Sequence, residues 1–567
     1  RWVLVGSAAL CLGAVLLFGP LGGAWRWVTV GVVAIGSAIY SPTRYALLPA
    51  AADDTRWPLT RINGFIELGA VLAVAAGMVL GGYLYSWEET GPLGVNGLPL
   101  AIVAAMVLNL IGVVAAWPVW FAADVRRPEA PLAAVSGFFR DLGRVWRQPV
   151  ARGSLLGAAA LRGLAAAVVG AVVASALSST DFLGKAERFE AMIQVGLWIM
   201  AGTAAGSLLA GVQGHPRRSL GIIPFAATGL AFFLLLAVIV GVPPWLCLAL
   251  GLCGGLLNVP LNAAYQENIP ADARGNGLSV FNLFGFSAMM LLAGLMASLG
   301  YFQVLTPTGQ LALLGLLAVG GAAWAWKKLL REALEQTLEI ILWPMYRFQA
   351  LGPGVGKVPL HGPLLVIANH SAYMDPLWMG KVIPRKLTPM MTSIFYDMPM
   401  LRFLMTKIVH AIRVESSSFR REVPELKEAL GVLDRGEALL IFPEGWVRRT
   451  REQLLRKFGQ GVWLLLRERP QTPVVVCWIE GGFGSWTSYD KGKPLTNKPI
   501  DLWYPLRIVI TEPQVLPPDI LADQRQTRAY LMRCCLEARQ YLGLEVPNEL
   551  DQMVQKGIDP EAEEQVA

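Results

Sequence analysis

The stretch L-L-V-I-A-N-H-S-A-Y-M-D, residues Leu364–Asp375, decides how the second half of this chain folds. Leu364–Ala368 is a run of five apolar residues, the pattern of a short strand buried on both faces of a sheet. Asn369 and His370 then put polar groups where the strand ends, and Asp375 follows the histidine five residues on. A second apolar run, Ala438–Phe442, leads about 70 residues later into F-P-E-G at Phe442–Gly445. Further strands over Val474–Ile479 and Leu506–Ile510 alternate with helical stretches. Val423, Leu426, Leu430 and Leu433 mark one helix, closed by Gly436; Gln460–Arg467 and Thr527–Leu542 mark others. Strands alternating with helices predict an α/β layer domain.

The two motifs carry the chemistry. A histidine at a strand end is accessible, and an imidazole ordinarily titrates near ~6.5, so it can take a proton at neutral pH. Asp375 can hold its other ring nitrogen and stabilise the cation that forms. No serine or cysteine nucleophile is needed if the acceptor's own hydroxyl attacks a thioester. Glu444 sits at the same carboxyl edge of the sheet, where α/β folds gather their ligands. With Arg448 and Arg449 beside it, Glu444 is placed to organise a polar headgroup. His410 reads as structural and His361 as a solvent-exposed loop residue. The pair of motifs predicts acyl transfer to a hydroxyl.

Everything before residue 327 is of another kind. The 567-residue chain is 54% hydrophobic and 16% charged, with a mean hydropathy of +0.48, and the excess lies in that first part. Apolar runs long enough to cross ~30 Å of hydrocarbon occur at Trp2–Phe18, Trp27–Leu48, Ile62–Tyr85, Leu98–Phe121, Leu155–Leu177, Ala191–Val212, Leu220–Val240, Trp245–Tyr265, Leu278–Leu299 and Leu311–Trp326. That makes about ten spans. Arginine and lysine crowd alternate loops (Arg56 and Arg61; Arg126 to Arg147; Arg217 and Arg218; Arg274; Lys327 to Arg331), which the positive-inside rule puts in the cytoplasm together with the C-terminal domain. The formal charge of +7 belongs to those loops facing anionic lipid, not to a nucleic-acid surface. Six cysteines without paired spacing and only four histidines offer neither a disulfide framework nor a metal site.

Polar residues within spans are costly and face a cavity or a partner. Glu67, Arg162, Asn258 and Asn262 are the candidates for a polar transport path; the alternative for the same residues is hydrogen bonding between helices. From Leu329 to Leu342 apolar residues recur at helical spacing, and Trp343, Tyr346 and Phe348 follow, so residues 327–349 predict an amphipathic interfacial connector with an aromatic anchor. Residues 546–567 form an acidic tail of disordered composition.

The runs Tyr40–Pro49 (Y-S-P-T-R-Y-A-L-L-P), Asn63–Glu67 (N-G-F-I-E), Val259–Ala263 (V-P-L-N-A) and Arg274–Asn282 (R-G-N-G-L-S-V-F-N) resemble the lysophospholipid transporter branch of the major facilitator superfamily. The resemblance covers residues 1–326. It implies a twelve-helix fold with its first two helices absent from this sequence, and movement of lysophospholipid toward the inner leaflet. Residues 345–515 look like the glycerolipid acyltransferase family typified by 1-acylglycerol-3-phosphate acyltransferase. That resemblance implies acyl transfer from acyl-CoA or acyl carrier protein to a lysolipid hydroxyl, with no bound cofactor and no metal. His370 matches its general base, Asp375 its orienting carboxylate, and Glu444 and Gly445 its acceptor motif. The family often continues F-P-E-G with Thr-Arg, whereas Trp446 and Val447 stand here and the arginine is delayed to Arg448. Ser416 stands near another phosphate-contacting arginine position, leaving Arg413 and Arg420 as substitutes. These departures favour a lysophospholipid with a capped headgroup over lysophosphatidic acid.

The sequence thus predicts an all-α polytopic membrane domain of major facilitator type over residues 1–326, followed by an α/β acyltransferase domain over 350–545. Such a fusion at the inner membrane would serve phospholipid salvage, with membrane lipids, lysophospholipid and the thioester donor as its partners. Two alternatives stay open: a lysophosphatidic acid acyltransferase of primary synthesis anchored by its helices, and an efflux carrier with a degenerate enzyme domain.

Overall fold

A computed structural model describes residues 6, 9–14, 28, 31–33, 35–36, 44–55, 57–85, 97–116, 131–178, 185–212, 219–270, 273–342, 344–415, 424–451, 453–497, 499–500 and 502–546. The chain divides into two compact units, Arg1–Ala333 and Leu334–Ala567.

In the first unit, seven helices among the described residues are long and apolar enough to cross a membrane, from Leu59–Gly81 to Pro307–Ile341. Of the ten expected spans, Trp2–Phe18 and Trp27–Leu48 lie largely outside the described residues, and Leu98–Phe121 is helical over Gly97–Ala116. Close helix approach is built on glycine. The helices Lys185–Gly211 and Pro244–Glu267 meet through Gly202 and Gly206 on one and Gly251 and Gly255 on the other. A Cβ on Gly202 would fall 2.0 Å from the Leu248 carbonyl oxygen, and one on Gly251 2.0 Å from that of Ile199. Lipid supplies no hydrophobic drive between helices, so backbones packed this tightly gain their attraction from dispersion. Tyr265 stacks on Phe281 at 4.6 Å and donates its hydroxyl to the Gly277 carbonyl at 2.6 Å.

The arginine-rich stretch before residue 148 contains more than a loop. Pro131–Arg147 is an amphipathic helix whose Val145 is buried in the core of this unit, with Phe138 and Leu142 against it. Its buried Asp141 accepts from Asn276 at 2.8 Å and from Arg144 at 3.4 Å.

The second unit is a seven-stranded sheet: β1 Tyr346–Leu351, β2 Leu364–Ala368, β3 Leu387–Thr392, β4 Ile412–Val414, β5 Ala438–Ile441, β6 Val474–Glu480 and β7 Tyr504–Ile510, in the order β1-β7-β6-β2-β5-β3-β4. β2 pairs in parallel with β5 and β6, while β7 is antiparallel to β6 and β1 parallel to β7. All five side chains of β2 are fully buried, alternating between one apolar cluster through Leu365 and Ile367 and a second through Leu364, Val366 and Ala368. A buried leucine, isoleucine or valine is worth ~1.5–3 kcal/mol, which explains why this strand reads as an unbroken apolar run.

The residues of the expected 327–349 connector divide differently. The helix Pro307–Leu342 carries a non-helical break at Leu329, and β1 begins at Tyr346. Tyr346 is 2% exposed and the half-buried Phe348 packs against the same cluster, so Tyr346 is a core residue of the sheet and not an interfacial anchor. Trp343, Ser416, Arg420 and residues 547–567 lie outside the described residues.

Candidate active site

β2 delivers Asn369 and His370 to the carboxyl edge of the sheet, and the side chain of Asn369 continues the ladder where the strand stops. Its amide donates to the Ile479 carbonyl at 3.1 Å and accepts from the Ile479 amide at 2.6 Å, clamping the motif to β6. The chain then turns into the helix Asp375–Val382. That turn brings Asp375, fully buried, back beneath the histidine: Nδ1 of His370 lies 2.9 Å from Oδ2 of Asp375. The amides of Ser371 and Ala372 donate to the same oxygen at 2.5 and 2.9 Å, and the Ser371 hydroxyl donates to Oδ1 at 3.2 Å. A carboxylate held by this many donors cannot swing away. Phe442 fixes the other degree of freedom, its ring stacking on the imidazole at 4.4 Å. With Nδ1 turned to Asp375, Nε2 is the nitrogen left for a substrate proton.

Glu444 reaches the same place from β5, yet its carboxyl turns inward. One oxygen accepts from the His370 amide at 2.8 Å and the other from the Arg456 amide at 2.8 Å. Burial pushes its pKa up to about 8; the two amides pull the other way, and the neighbouring Asp375 charge adds to the rise. A carboxyl whose two oxygens both accept from backbone amides braces the histidine loop, beside the headgroup role that the sequence predicts for Glu444. The amide of Arg448 closes the brace by donating to the His370 carbonyl at 2.8 Å. Gly445 permits the turn, with φ at +71°, a value that strains any side-chain-bearing residue.

The predicted arginines separate. Arg448 donates its guanidinium to the carbonyls of Thr450 (2.8 Å) and Arg451, and lies over the Phe483 ring. Arg413 forms a bidentate pair with Asp397, at 3.0 and 2.7 Å to one carboxylate oxygen. Both guanidinium groups are engaged by protein partners. Arg449 is different. Its guanidinium lies over Tyr489 at 5.4 Å and Trp446 at 6.0 Å, and no acid or carbonyl among the described residues binds it. It is exposed.

The segment that walls this mouth, Gly481–Asn497, was not among the expected site elements. A Cβ on Gly482 would strike the Ser371 hydroxyl at 2.0 Å, so the segment presses directly on the histidine loop. The Thr487 carbonyl accepts from the Tyr373 amide at 3.1 Å, and the Tyr489 and Tyr373 hydroxyls meet at 2.7 Å. Asp490 anchors the segment by two bonds of 3.1 Å from Arg451. Burial and the Tyr489 hydroxyl push the Tyr373 pKa up to about 12, so it remains a hydrogen-bonding phenol. The one available signal was composition, a Gly- and Ser-rich run containing Trp and Tyr.

In the membrane unit, three of the four expected path residues come together. Glu67 accepts from Tyr45 at 2.6 Å and from Asn262 at 3.3 Å, and Asn262 also donates to Asn258 at 3.3 Å. One turn along, Asn63 and Gln266 exchange two bonds of 3.0 and 3.1 Å. Arg162 stands within charge range of Glu67 and Tyr45, donates to Asn282 at 3.3 Å and lies over Phe281.

A family model described as "Major Facilitator Superfamily" matches residues 1–294, and one described as "Acyltransferase" matches residues 354–480. The chain is 31% identical over 334 residues to the lysophospholipid transporter LplT of Salmonella arizonae, covering 57% of this chain and 77% of that protein. To LplT of an Enterobacter species it is 30% identical over 300 residues, covering 52% and 68%. Among solved structures, the 1-acyl-sn-glycerophosphate acyltransferase PlsC of Thermotoga maritima aligns at 16% identity over 39% of this chain and 85% of that one, with a TM-score of 0.30.

Proposed function

The chain belongs to the major facilitator superfamily and carries an acyltransferase domain behind its membrane helices, and from that premise we propose that it moves lysophospholipid through the membrane and re-esterifies it. The acyl step uses the histidine loop. Nε2 of His370 takes the proton from the lysolipid hydroxyl, whose oxygen attacks the carbonyl carbon of an acyl thioester. The tetrahedral intermediate collapses with loss of the thiolate, which recovers the proton from His370. Asp375 holds Nδ1 throughout and stabilises the imidazolium. Glu444 keeps the loop in register, and Arg449, framed by Trp446 and Tyr489, holds the acceptor's phosphate.

The observation that carries this reading is the 2.9 Å contact of His370 with Asp375 at the sheet's carboxyl edge, where an acyltransferase model matches. Transport of lysophospholipid rests on the relatives named above, and the Tyr45–Glu67–Asn262–Asn258 cluster supplies a polar centre among the helices to hold a headgroup. We place the protein in the inner membrane with its acyltransferase domain on the cytoplasmic side, as the arginine-bearing loops direct. The donor is acyl-CoA or acylated acyl carrier protein. The test is acyl transfer by the full chain, offered lysophosphatidylethanolamine and lysophosphatidic acid with each donor. Preferred use of the capped acceptor supports salvage; preference for lysophosphatidic acid would return the protein to primary synthesis.

A further inference from the structure

Outside the catalytic mouth, one edge of the sheet carries cations that nothing in the fold uses. Arg347 on β1 stands beside Pro505 on β7, and Gln349 beside Arg507. These four, with Phe348, line a cleft of about 420 Å³. Neither guanidinium has an acid or carbonyl partner among the described residues. The nearest acid in register, Glu480 opposite Arg507, accepts instead from Trp478 Nε1 at 2.8 Å.

Strand direction fixes which way this cleft faces. Cys477 on β6 stands beside Ala368 on β2 and opposite Ile510 on β7. Moving from Ala368 to His370 on β2 is therefore moving from Ile510 toward Tyr504 on β7, and toward Tyr346 on β1. The beginnings of β1 and β7 lie toward the same edge as the catalytic histidine, with β7 two strand spacings (about 10 Å) and β1 three (about 14 Å) from β2 across the sheet.

That edge is apolar as well as cationic. Leu502 (68% exposed) and Trp503 (53%) lead into β7, and the Trp503 amide donates to the Pro344 carbonyl at 2.9 Å. Ile340 and Ile341 are 62% and 56% exposed at the end of the helix that leads into β1. Glu339, one residue earlier, pairs with Lys381 at 3.1 Å. Lys381 lies on the helix that begins with Asp375, so the apolar helix end is fixed to the catalytic fold.

We propose that this edge is a bilayer-docking surface, in which Arg347 and Arg507 bind the phosphate of an anionic lipid while Leu502, Trp503, Ile340 and Ile341 enter the interface. Exposed aliphatic and indole side chains beside unpaired guanidinium groups match an anionic headgroup layer, which offers phosphate above and hydrocarbon below. The proposal rests on the protein being membrane-embedded and not on the acyl-transfer reading.

The test uses the full chain in lipid nanodiscs, with Leu502→Cys carrying an environment-sensitive fluorophore and the parent protein, whose native cysteines are buried or half-buried, as the labelling control. In discs of phosphatidylcholine with phosphatidylglycerol the emission should shift to the blue relative to phosphatidylcholine alone, and high salt should reverse the shift. Arg347→Gln and Arg507→Gln should each weaken the seating equilibrium about fivefold, and the double variant should behave in anionic discs as the parent does in neutral ones. Emission indifferent to phosphatidylglycerol, or a double variant that still shifts, overturns the proposal. So does a shift in detergent on adding acyl carrier protein, which would make the edge a protein dock. Since the readout is fluorescence, an inactive enzyme leaves the test intact.

Discussion

Replacing Glu444 with glutamine asks whether this residue braces the active site or binds substrate. In the protein its two oxygens accept the amides of His370 and Arg456 at 2.8 Å each. Glutamine keeps one acceptor and turns an NH₂ group toward the other amide, leaving a buried donor unsatisfied. Such a loss costs ~1–3 kcal/mol. Because one of the two amides is that of His370 itself, the imbalance moves the base. A misplacement of ~1 Å can cost ~10²-fold in rate. The expected outcome is a lowered thermal midpoint for the full chain, kcat down by about two orders of magnitude and the acceptor KM little changed. The pH dependence adds an independent check. The pKa of Glu444 is raised to about 8 by burial, above the ~4.3 of an unfolded glutamate. Between those values the unfolded chain has already lost the proton that the native state retains. Native stability at this site is therefore greatest below the unfolded value, falls as pH rises toward about 8, and levels off above it. The glutamine variant should lack that decline. An unchanged thermal midpoint together with a raised acceptor KM would refute the brace and make Glu444 a headgroup ligand.

The other predictions follow from the same geometry. His370→Ala should lower kcat by at least ~10²-fold, the low end for a general base, while leaving the thermal midpoint near wild type; retained turnover in a lysolipid acylation assay would remove the mechanism. Asp375→Asn should lose both activity and stability, by ~1–3 kcal/mol in unfolding, because the amides of Ser371 and Ala372 share the oxygen that the substitution replaces or reorients. Arg449→Gln should raise the acceptor KM by ~10- to 100-fold, the worth of a charge-assisted hydrogen bond, whereas Arg413→Gln should leave it unchanged because Arg413 already serves Asp397; steady-state kinetics on the pair decides between them. Glu67→Gln should slow lysophospholipid uptake into vesicles and leave acyl transfer to supplied lysolipid intact, since its partners Tyr45 and Asn262 are all in the membrane unit.

What was legible in the sequence was what hydrophobic periodicity and motif spacing record. β2, β5, β6 and β7 were readable because their buried faces demand continuous apolar runs, and the His370–Asp375 spacing was readable because a tight turn into the following helix returns the carboxylate beneath the ring. β1 hid because Tyr346–Leu351 is an edge strand with Arg347 and Gln349 outward, which breaks the apolar run and leaves aromatic residues that mimic an interfacial anchor. β4 has only three residues, too few for any pattern. The helix Pro131–Arg147 was masked by its arginines, which the charge rule assigns to a loop whether or not they are helical. At the site, motif identity drew attention to Glu444 but not to its orientation. Which way a carboxyl turns depends on the amides of His370 and Arg456, the latter twelve residues along the chain. Arg448 and Arg449 are neighbours with identical side chains, and only the carbonyls of Thr450 and Arg451, which occupy the first, distinguish them.

The physical case for joining the two units in one chain lies in the substrate. Burying a lipid chain in a bilayer is worth ~0.8 kcal/mol for each methylene, so a lysolipid with an ordinary fatty chain loses on the order of 10 kcal/mol on leaving it. An enzyme that waited for the lysolipid in solution would forfeit nearly all of its substrate. On the proposed function, a base at the carboxyl edge of a sheet can meet the hydroxyl while the tail stays in hydrocarbon. Only the headgroup and glycerol then need recognition by polar side chains. The described site offers one imidazole held by one carboxylate and one guanidinium framed by aromatic rings. On the proposed function, tethering also raises the effective concentration of transported lysolipid near the base, which is the gain that a covalent link provides over two diffusing partners.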